Sequence, residues 1–266
     1  MFNAITIDAE KCTGCQACML GCSGRVFHYV DDKAVTTDES VQRCIQCGHC
    51  VCLCPADAIT LDSMGPNDVV QIAKDKLPST EQFAELVKYR RSVRHYQSRK
   101  IDSKDLARLF EIVRWAPTAK NLLKTKWIVV NNPATVRCLA GIAIEALREA
   151  DANSPMVAAW DRGYDWVHRG APCLILAYTD EESVWTAVDS TIAVETLDLA
   201  AATMGLGACW AGLLMRYLED NQALRDAFGL VAGNQVGAAL MIGYPDGEVY
   251  SKAPLRPSCT VRFLED

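Results

Sequence analysis

Cys12-Thr13-Gly14-Cys15-Gln16-Ala17-Cys18-Met19-Leu20-Gly21-Cys22 and Cys44-Ile45-Gln46-Cys47-Gly48-His49-Cys50-Val51-Cys52-Leu53-Cys54 carry the same spacing, C-x2-C-x2-C-x3-C, with twenty-one residues between them. Three thiolates spaced two apart let one tight loop present sulfur to three corners of a cubane iron–sulfur cluster. The fourth cysteine lies one turn into the following helix and faces the neighbouring cluster. The spacing therefore predicts one cluster on Cys12, Cys15, Cys18 and Cys54, and a second on Cys44, Cys47, Cys50 and Cys22. Cys52 is surplus, because the three-residue gap and Pro55 select Cys54. Zinc favours two C-x2-C pairs far apart over four close cysteines per run. Disulfides would need an exported chain, and Met1-Phe2-Asn3-Ala4-Ile5 lacks the basic start of a signal peptide.

On these residues, 1–63 resemble the bacterial-type ferredoxin domain with two [4Fe–4S] clusters. Two departures bear on loop shape and potential rather than on cluster number: Cys22 is followed by Ser23 instead of proline, and the insert between the runs is long.

Half of the 266 residues are apolar, enough for a sizeable core in one large or two modest domains. No apolar run is long enough to span a bilayer, so a cytoplasmic, membrane-free protein is expected. Thirteen cysteines in a reducing compartment point to metal ligation, with Cys138, Cys173, Cys209 and Cys259 expected as buried thiols. A net charge of −6 argues against nucleic acid, whose phosphates call for a basic surface.

Ala4-Ile5-Thr6-Ile7 and Ala58-Ile59-Thr60-Leu61 alternate like short strands bracketing the cysteine runs, and Asp31-Asp32-Lys33 reads as a turn. Residues 64–79, with Gly65-Pro66-Asn67-Asp68 and Pro78-Ser79-Thr80, read as a linker. Beyond it, helices are expected from Thr80, over 102–115, 133–149, 154–168, 185–204 and 219–228. Strands are expected over 127–130, 173–178 and 235–242. The helix over 185–204 is apolar almost all round, so it must be buried on more than one face or meet a second subunit. The pattern is α+β, with a domain over 80–266. Gly205-Leu206-Gly207 lacks the third glycine of a dinucleotide fingerprint, and there is no Walker A run. His28, His49, His95 and His168 read as solvated or structural.

Four motifs occur in order in this second part: Arg90-Arg91-Ser92-Val93-Arg94, Ala116-Pro117-Thr118-Ala119-Lys120-Asn121, Gly205-Leu206-Gly207-Ala208-Cys209-Trp210-Ala211-Gly212, and Tyr244-Pro245 followed by Arg256. Together they resemble the FMN-dependent nitroreductase family. The resemblance implies a homodimer with two FMN sites built from both subunits. It makes Arg90, Ser92 and Arg256 phosphate ligands, with Arg91 and Lys252 also cofactor-binding. Paired guanidiniums and a hydroxyl do suit a phosphate dianion. Arg94 matches the basic residue near the flavin N1/O2 edge, where positive charge stabilises the reduced anion. Pro117, Thr118 and Ala119 match the stretch that reaches the flavin from the other subunit, and Asn121 a polar contact to the ring. Trp210, Ala211, Gly212 and Leu213 match the stretch that offers backbone amides to N5 and O4. Asn121-Leu122-Leu123-Lys124-Thr125-Lys126-Trp127 departs from the family's frequent Asn-x-Gln-Pro-Trp, so nitroaromatic substrates do not follow from the family name.

The resulting expectation is an iron–sulfur flavoenzyme. Two clusters relay single electrons to or from FMN, which reduces a small nitro, quinone or enone-type substrate by hydride transfer. Ferredoxin or NAD(P)H would be the donor, and no protein acid or base is called for. The rival is an electron-transfer protein on an inert flavin-fold dimerisation scaffold.

Overall fold

In the computed structural model, which describes residues 4–62, 64–247 and 250–264, the chain forms two compact units. One holds the residues up to Leu77 together with Thr118–Leu123. The other holds Pro78–Pro117 and the chain from Lys124 onward.

In the first unit the alternating stretches become β1 (Ile5–Ile7) and, at the far end, a strand that pairs with it. Between them come α1 (Ala17–Gly21), the hairpin β2 (His28–Val30) and β3 (Lys33–Val35), α2 (Asp38–Val41) and α3 (His49–Leu53), before β4 (Ile59–Leu61) closes the set. β1 and β4 are antiparallel, Ile5 opposite Leu61. The turn at Asp31 and Asp32 has both residues left-handed (φ 47° and 59°), the geometry that twists a two-residue hairpin correctly. Val26, Phe27, Val51, Ile59 and Leu61 form a small core against the buried faces of Cys18 and Cys50.

The second unit opens with α4 (Thr80–Tyr89), whose capping box joins Ser79 and Gln82. There follow α5 (Ser103–Val113), β5 (Lys126–Val130), α6 (Pro133–Ala150), α7 (Pro155–Asp161), β6 (Cys173–Thr179), α8 (Thr186–Thr203), β7 (Gly207–Trp210), α9 (Gly212–Asp220), α10 (Gln222–Ala227) and β8 (Gln235–Gly243). The four strands make an antiparallel sheet in the order β5-β6-β8-β7. Strand periodicity divides β6 cleanly. Cys173, Ile175 and Ala177 face a core with Leu109, Val113, Val194 and Leu197, while Leu174 and Leu176 face another with Leu139, Ile144, Leu214 and Leu218. Helices thus cover both faces of the sheet.

Two helices and two thiols depart from expectation. The helix expected over 154–168 stops at Asp161, because Gly163 (φ 90°) turns the chain out of helix. The helix expected over 219–228 is two helices, broken at Asn221, whose side chain caps the second. Among the spare thiols only Cys173 and Cys209 are buried; Cys138 and Cys259 are exposed. His168 is structural: it is fully buried, its Nδ1 bonded to the Val136 carbonyl at 3.0 Å, and burial lowers its pKa.

Candidate functional site

Each cysteine run makes its loop by the same backbone path. Two residues after the first cysteine, and again one after the second, the chain turns left-handed: Gly14 (φ 69°) and Gln16 (φ 62°), then Gln46 (φ 52°) and Gly48 (φ 73°). Glycine and glutamine have exchanged places while the conformation has not changed. A Cβ on Gly14 would stand 2.3 Å from the Asp32 carbonyl oxygen, and one on Gly48 2.5 Å from Met64 Sδ. The two glycines are therefore fixed by space as well as by φ, while each glutamine bears a cost of about 1–2 kcal/mol.

Cys18 and Cys50 sit in the first turns of α1 and α3. Cys22 and Cys54 follow those helices as extended C-caps rather than lying within them, a correction to the expected placement. One hollow is lined by Cys12, Cys15, Cys18 and Cys54, with Ile7, Ala34 and Ile59. A second is lined by Cys22, Cys44, Cys47 and Cys50, with Val26, Phe27 and Leu61. Each hollow thus takes three cysteines from one run and the fourth from the other. Cys52 is exposed and lines neither. Among the described residues no three His, Cys, Asp or Glu side chains stand close enough to share one ion. Four thiols around one hollow are the donor set a [4Fe–4S] cluster takes, one cysteine per iron.

The electrostatics agree. Burial pushes the Cys18 and Cys44 thiols up and Cys50 to about 12, so these sulfurs become thiolates readily only beside a cation such as bound iron. Backbone amides soften the charge elsewhere. Ala34 and Gly14 hold Cys12 below the ordinary thiol range, and the Gln46 and Ala58 amides donate to Cys44 Sγ and Cys54 Sγ at 3.4 and 3.3 Å.

In the second unit, Arg90 caps α4 and the chain then runs along β7, the edge strand. Ser92 bridges Ala208 in parallel, the Val93 amide donates to the Ala208 carbonyl at 2.9 Å, and Tyr96 bridges Pro245. The Arg-Ser-Arg and Gly-rich motifs, distant in sequence, are thereby brought side by side. Gly207 permits it, since a Cβ there would lie 2.6 Å from Val93 Cγ2. Gly207→Ala should push Val93 and the Arg90–Arg94 segment off the edge, costing about 1–3 kcal/mol in a urea melt. Unchanged stability would show that the segment can shift freely.

Tyr89, Arg90, Arg91, Gly207, Ala208 and Tyr250 line a hollow there, closed from below by Asp198 of α8. Arg90 Nη1 donates to Asp198 Oδ2 at 3.2 Å. Burial raises the Asp198 pKa to about 6, against the opposing pull of Arg90. The Ser92 side chain bonds the Cys209 thiol, and Arg94 Nη1 donates to the Ser92 carbonyl at 3.2 Å. Where β7 passes into α9, the Ala211 amide is taken by the Ala239 carbonyl at 2.9 Å. The Gly212 and Leu213 amides, first in α9, have no partner among the described residues, leaving two donors in the stretch expected to offer backbone amides. Trp210 is half-exposed beside them.

The remaining residues fall elsewhere. Lys252 lines a wide groove with Glu85, Lys88, Tyr89 and Tyr250. Arg256 lies in a tail, residues 251–264, that is exposed throughout. Pro117 is exposed, and Thr118, Ala119 and Asn121 belong to the first unit. There the Asn121 side chain donates to the Ile45 and Gln46 carbonyls at 3.3 and 3.1 Å. Asp198 was not anticipated; it is one of three acids, with Asp189 and Glu195, in a helix that is otherwise largely apolar.

The model of the nitroreductase family matches residues 87–244, more than half of the chain. The chain belongs to the nitroreductase family. A 4Fe–4S dicluster domain model matches residues 4–55, and a ferredoxin of Methanothermococcus thermolithotrophicus is 42% identical over 60 residues, 22% of this chain and 97% of the ferredoxin. The N-terminal part therefore belongs with the dicluster ferredoxins. An Archaeoglobus fulgidus relative, named for NADH dehydrogenase and NAD(P)H nitroreductase, is 26% identical over 168 residues, 63% of this chain and 88% of the relative. The FMN-bound nitroreductase of Bacteroides fragilis superposes with a TM-score of 0.58 at 24% identity, covering 70% of this chain and all of that one. That of Desulfitobacterium hafniense gives 0.57 at 21% identity, covering 68% and 97%. At these identities the superpositions establish the nitroreductase fold.

Proposed function

We propose that this nitroreductase-family protein is an FMN-dependent oxidoreductase carrying two [4Fe–4S] clusters, acting on a small oxidised substrate with ferredoxin or NAD(P)H as donor. The observation that carries the reading is the pair of four-cysteine hollows in one chain with the nitroreductase fold. Bound clusters would supply one-electron transfer, and bound FMN two-electron transfer with hydride delivery from N5. Cys12, Cys15, Cys18 and Cys54 would hold one cluster, and Cys22, Cys44, Cys47 and Cys50 the other. Arg90 and Arg91 line one hollow and present cations suited to a phosphate, the Ser92 hydroxyl would join them by leaving the Cys209 thiol, and the free amides of Gly212 and Leu213 suit an acceptor edge of a flavin ring. Arg94, beside Ser92 and Cys209, would set the charge near that ring. Domains over 1–63 and 80–266 with a 64–79 linker remain the working division.

A homodimer belongs to the same reading. On α8 and its N-cap, Trp185, Val188 and Ile192 are exposed on one face although the opposite face is packed in the core. An apolar stripe with that spacing is the natural seat for a second copy. Among the described residues no helix is long and apolar enough to cross a membrane, and the many free thiols favour a cytoplasmic setting.

The test is anaerobic purification followed by turnover of nitro, quinone and enone substrates with reduced ferredoxin or NAD(P)H. The expected result is a yellow-brown protein with about eight iron per chain, whose flavin absorbance bleaches with one of the two donors. A protein that binds neither iron nor FMN would end the proposal.

A further inference from the structure

The two cysteine loops share ligand spacing and backbone path but are held differently: Lys33 Nζ donates to the Cys12 carbonyl in the first, and the Asn121 side chain to two carbonyls in the second. In both, the residue two after the first cysteine turns its amide toward that cysteine's sulfur: Gly14 toward Cys12 and Gln46 toward Cys44. In the first loop that left-handed position is a glycine and is unstrained. In the second it is Gln46, for which the same conformation is unfavourable. The compensation comes from Asn121. Its side-chain NH2 bonds both the Ile45 and the Gln46 carbonyl, the two peptide units of the turn.

Asn121 sits within a strained segment, where Lys120 and Leu123 are the residues least suited to their backbone conformation. Lys120, Asn121 and Leu123 all have positive φ, near 50°, within four residues. Thr118 closes the segment on itself, its Oγ1 accepting from the Leu123 amide at 3.0 Å and its carbonyl from the Asn121 amide at 3.0 Å. Strain of this kind persists only where the surroundings over-determine it. The residue at the centre of this strained segment is the one bonded to the second loop.

The second turn adds a side-chain donor to its cysteine, where the first has the Ala34 amide beside Cys12 Sγ. Gln46 Nε2 lies 3.7 Å from Cys44 Sγ, while Gln46 Oε1 is buried without a partner among the described residues. A carboxamide that leaves its oxygen unsatisfied to keep its NH2 near a sulfur fits a site where that sulfur bears negative charge. Hydrogen bonds to cluster sulfurs raise the reduction potential, because they stabilise the more negative reduced form.

We infer that Asn121 is a positioning residue for the second four-cysteine site: by fixing the Ile45–Gln46 turn it aims two Gln46 donors at Cys44 and raises that cluster's potential relative to a loop without the grip. The nitroreductase sequence thereby sets the poise of one ferredoxin-type cluster and leaves the other alone. This rests on the proposal that both hollows hold [4Fe–4S] clusters.

The experiment is an anaerobic redox titration of the full-length protein, followed by electron paramagnetic resonance, on wild type, Asn121→Ala, Asn121→Gln and Gln46→Leu. Gln46→Leu marks the second cluster, since it removes a donor to Cys44 only. Asn121→Ala is expected to move the same signal to lower potential and leave the other in place, with Asn121→Gln, which keeps the donors, nearer wild type. Iron release to a chelator should quicken at that cluster by about tenfold or more. Should Asn121→Ala lose iron outright, a fall to about half the wild-type content supports the inference, and a loss of both clusters overturns it. Unmoved potentials, or a shift of the cluster that Gln46→Leu leaves alone, would also overturn it. A wild-type protein without two clusters would instead defeat the underlying proposal.

Discussion

Replacing Cys54 by serine should cost the protein about half its iron, whereas Cys52→Ser should cost none. The two residues are neighbours on one short run, so the contrast is a test of geometry. On α3 Cys52 lies two positions past the buried Cys50 and so points to the opposite, exposed side. Cys54 has left the helix. Its extended backbone turns the sulfur into the hollow lined by Cys12, Cys15 and Cys18, where the Ala58 amide meets it at 3.3 Å. A serine at 54 offers a harder oxygen with weaker affinity for iron and leaves one corner poorly held. Iron and acid-labile sulfide per chain, measured on anaerobic preparations, decide the matter. If Cys52→Ser lost the iron and Cys54→Ser kept it, the division of cysteines between the two hollows would be wrong.

Much of this was readable from residue order, for a physical reason. Cluster loops are local: the spacing of Cys12, Cys15 and Cys18 and the turn residues Gly14 and Gln16 act within a few residues, so the chain writes them in one place. The strands β1 and β4 were legible because alternation is a local signal. What the sequence concealed was tertiary. Nothing near Arg90 announces Asp198, more than a hundred residues away and buried by α8 packing on the sheet. Nothing in Thr118–Leu123 announces that Asn121 is bonded to the turn between Cys44 and Cys47; the family likeness pointed it at a flavin ring. The loss of the Ala211 amide to the Ala239 carbonyl is also set by strand pairing, which a single motif cannot express. Glycines behaved similarly. Gly207 stood out only as a member of the Gly-rich motif, and its purpose became visible with Val93 in place.

Asp198→Asn should stabilise the apoprotein above pH 6 and leave it unchanged in acid. The Asp198 side chain is only 10% exposed, and burial raises its pKa from 3.8 to about 6 even with the Arg90 guanidinium beside it. Desolvation therefore outweighs the ion pair, as it can when a carboxylate is taken out of water. A carboxyl whose folded pKa is raised binds its proton more tightly in the native state than in the unfolded one. Between about pH 4 and 6 the native state thus holds more protons, and stability falls as pH rises through that window. The shift, 6 minus 3.8, corresponds to about 3 kcal/mol at neutral pH. Asparagine escapes this penalty while its carbonyl can still accept from Arg90. Urea melts at pH 8, 6 and 4 should show a gain of a few kcal/mol at pH 8 that shrinks to nothing by about pH 4. The same change removes a negative charge from the floor of the Arg90–Arg91 hollow, so FMN should dissociate more slowly at pH 8 if its phosphate sits there. A variant less stable than wild type at pH 8 would mean that the ion pair outweighs the desolvation, and Asp198 would then be a necessary counter-ion for Arg90 and not a strained one.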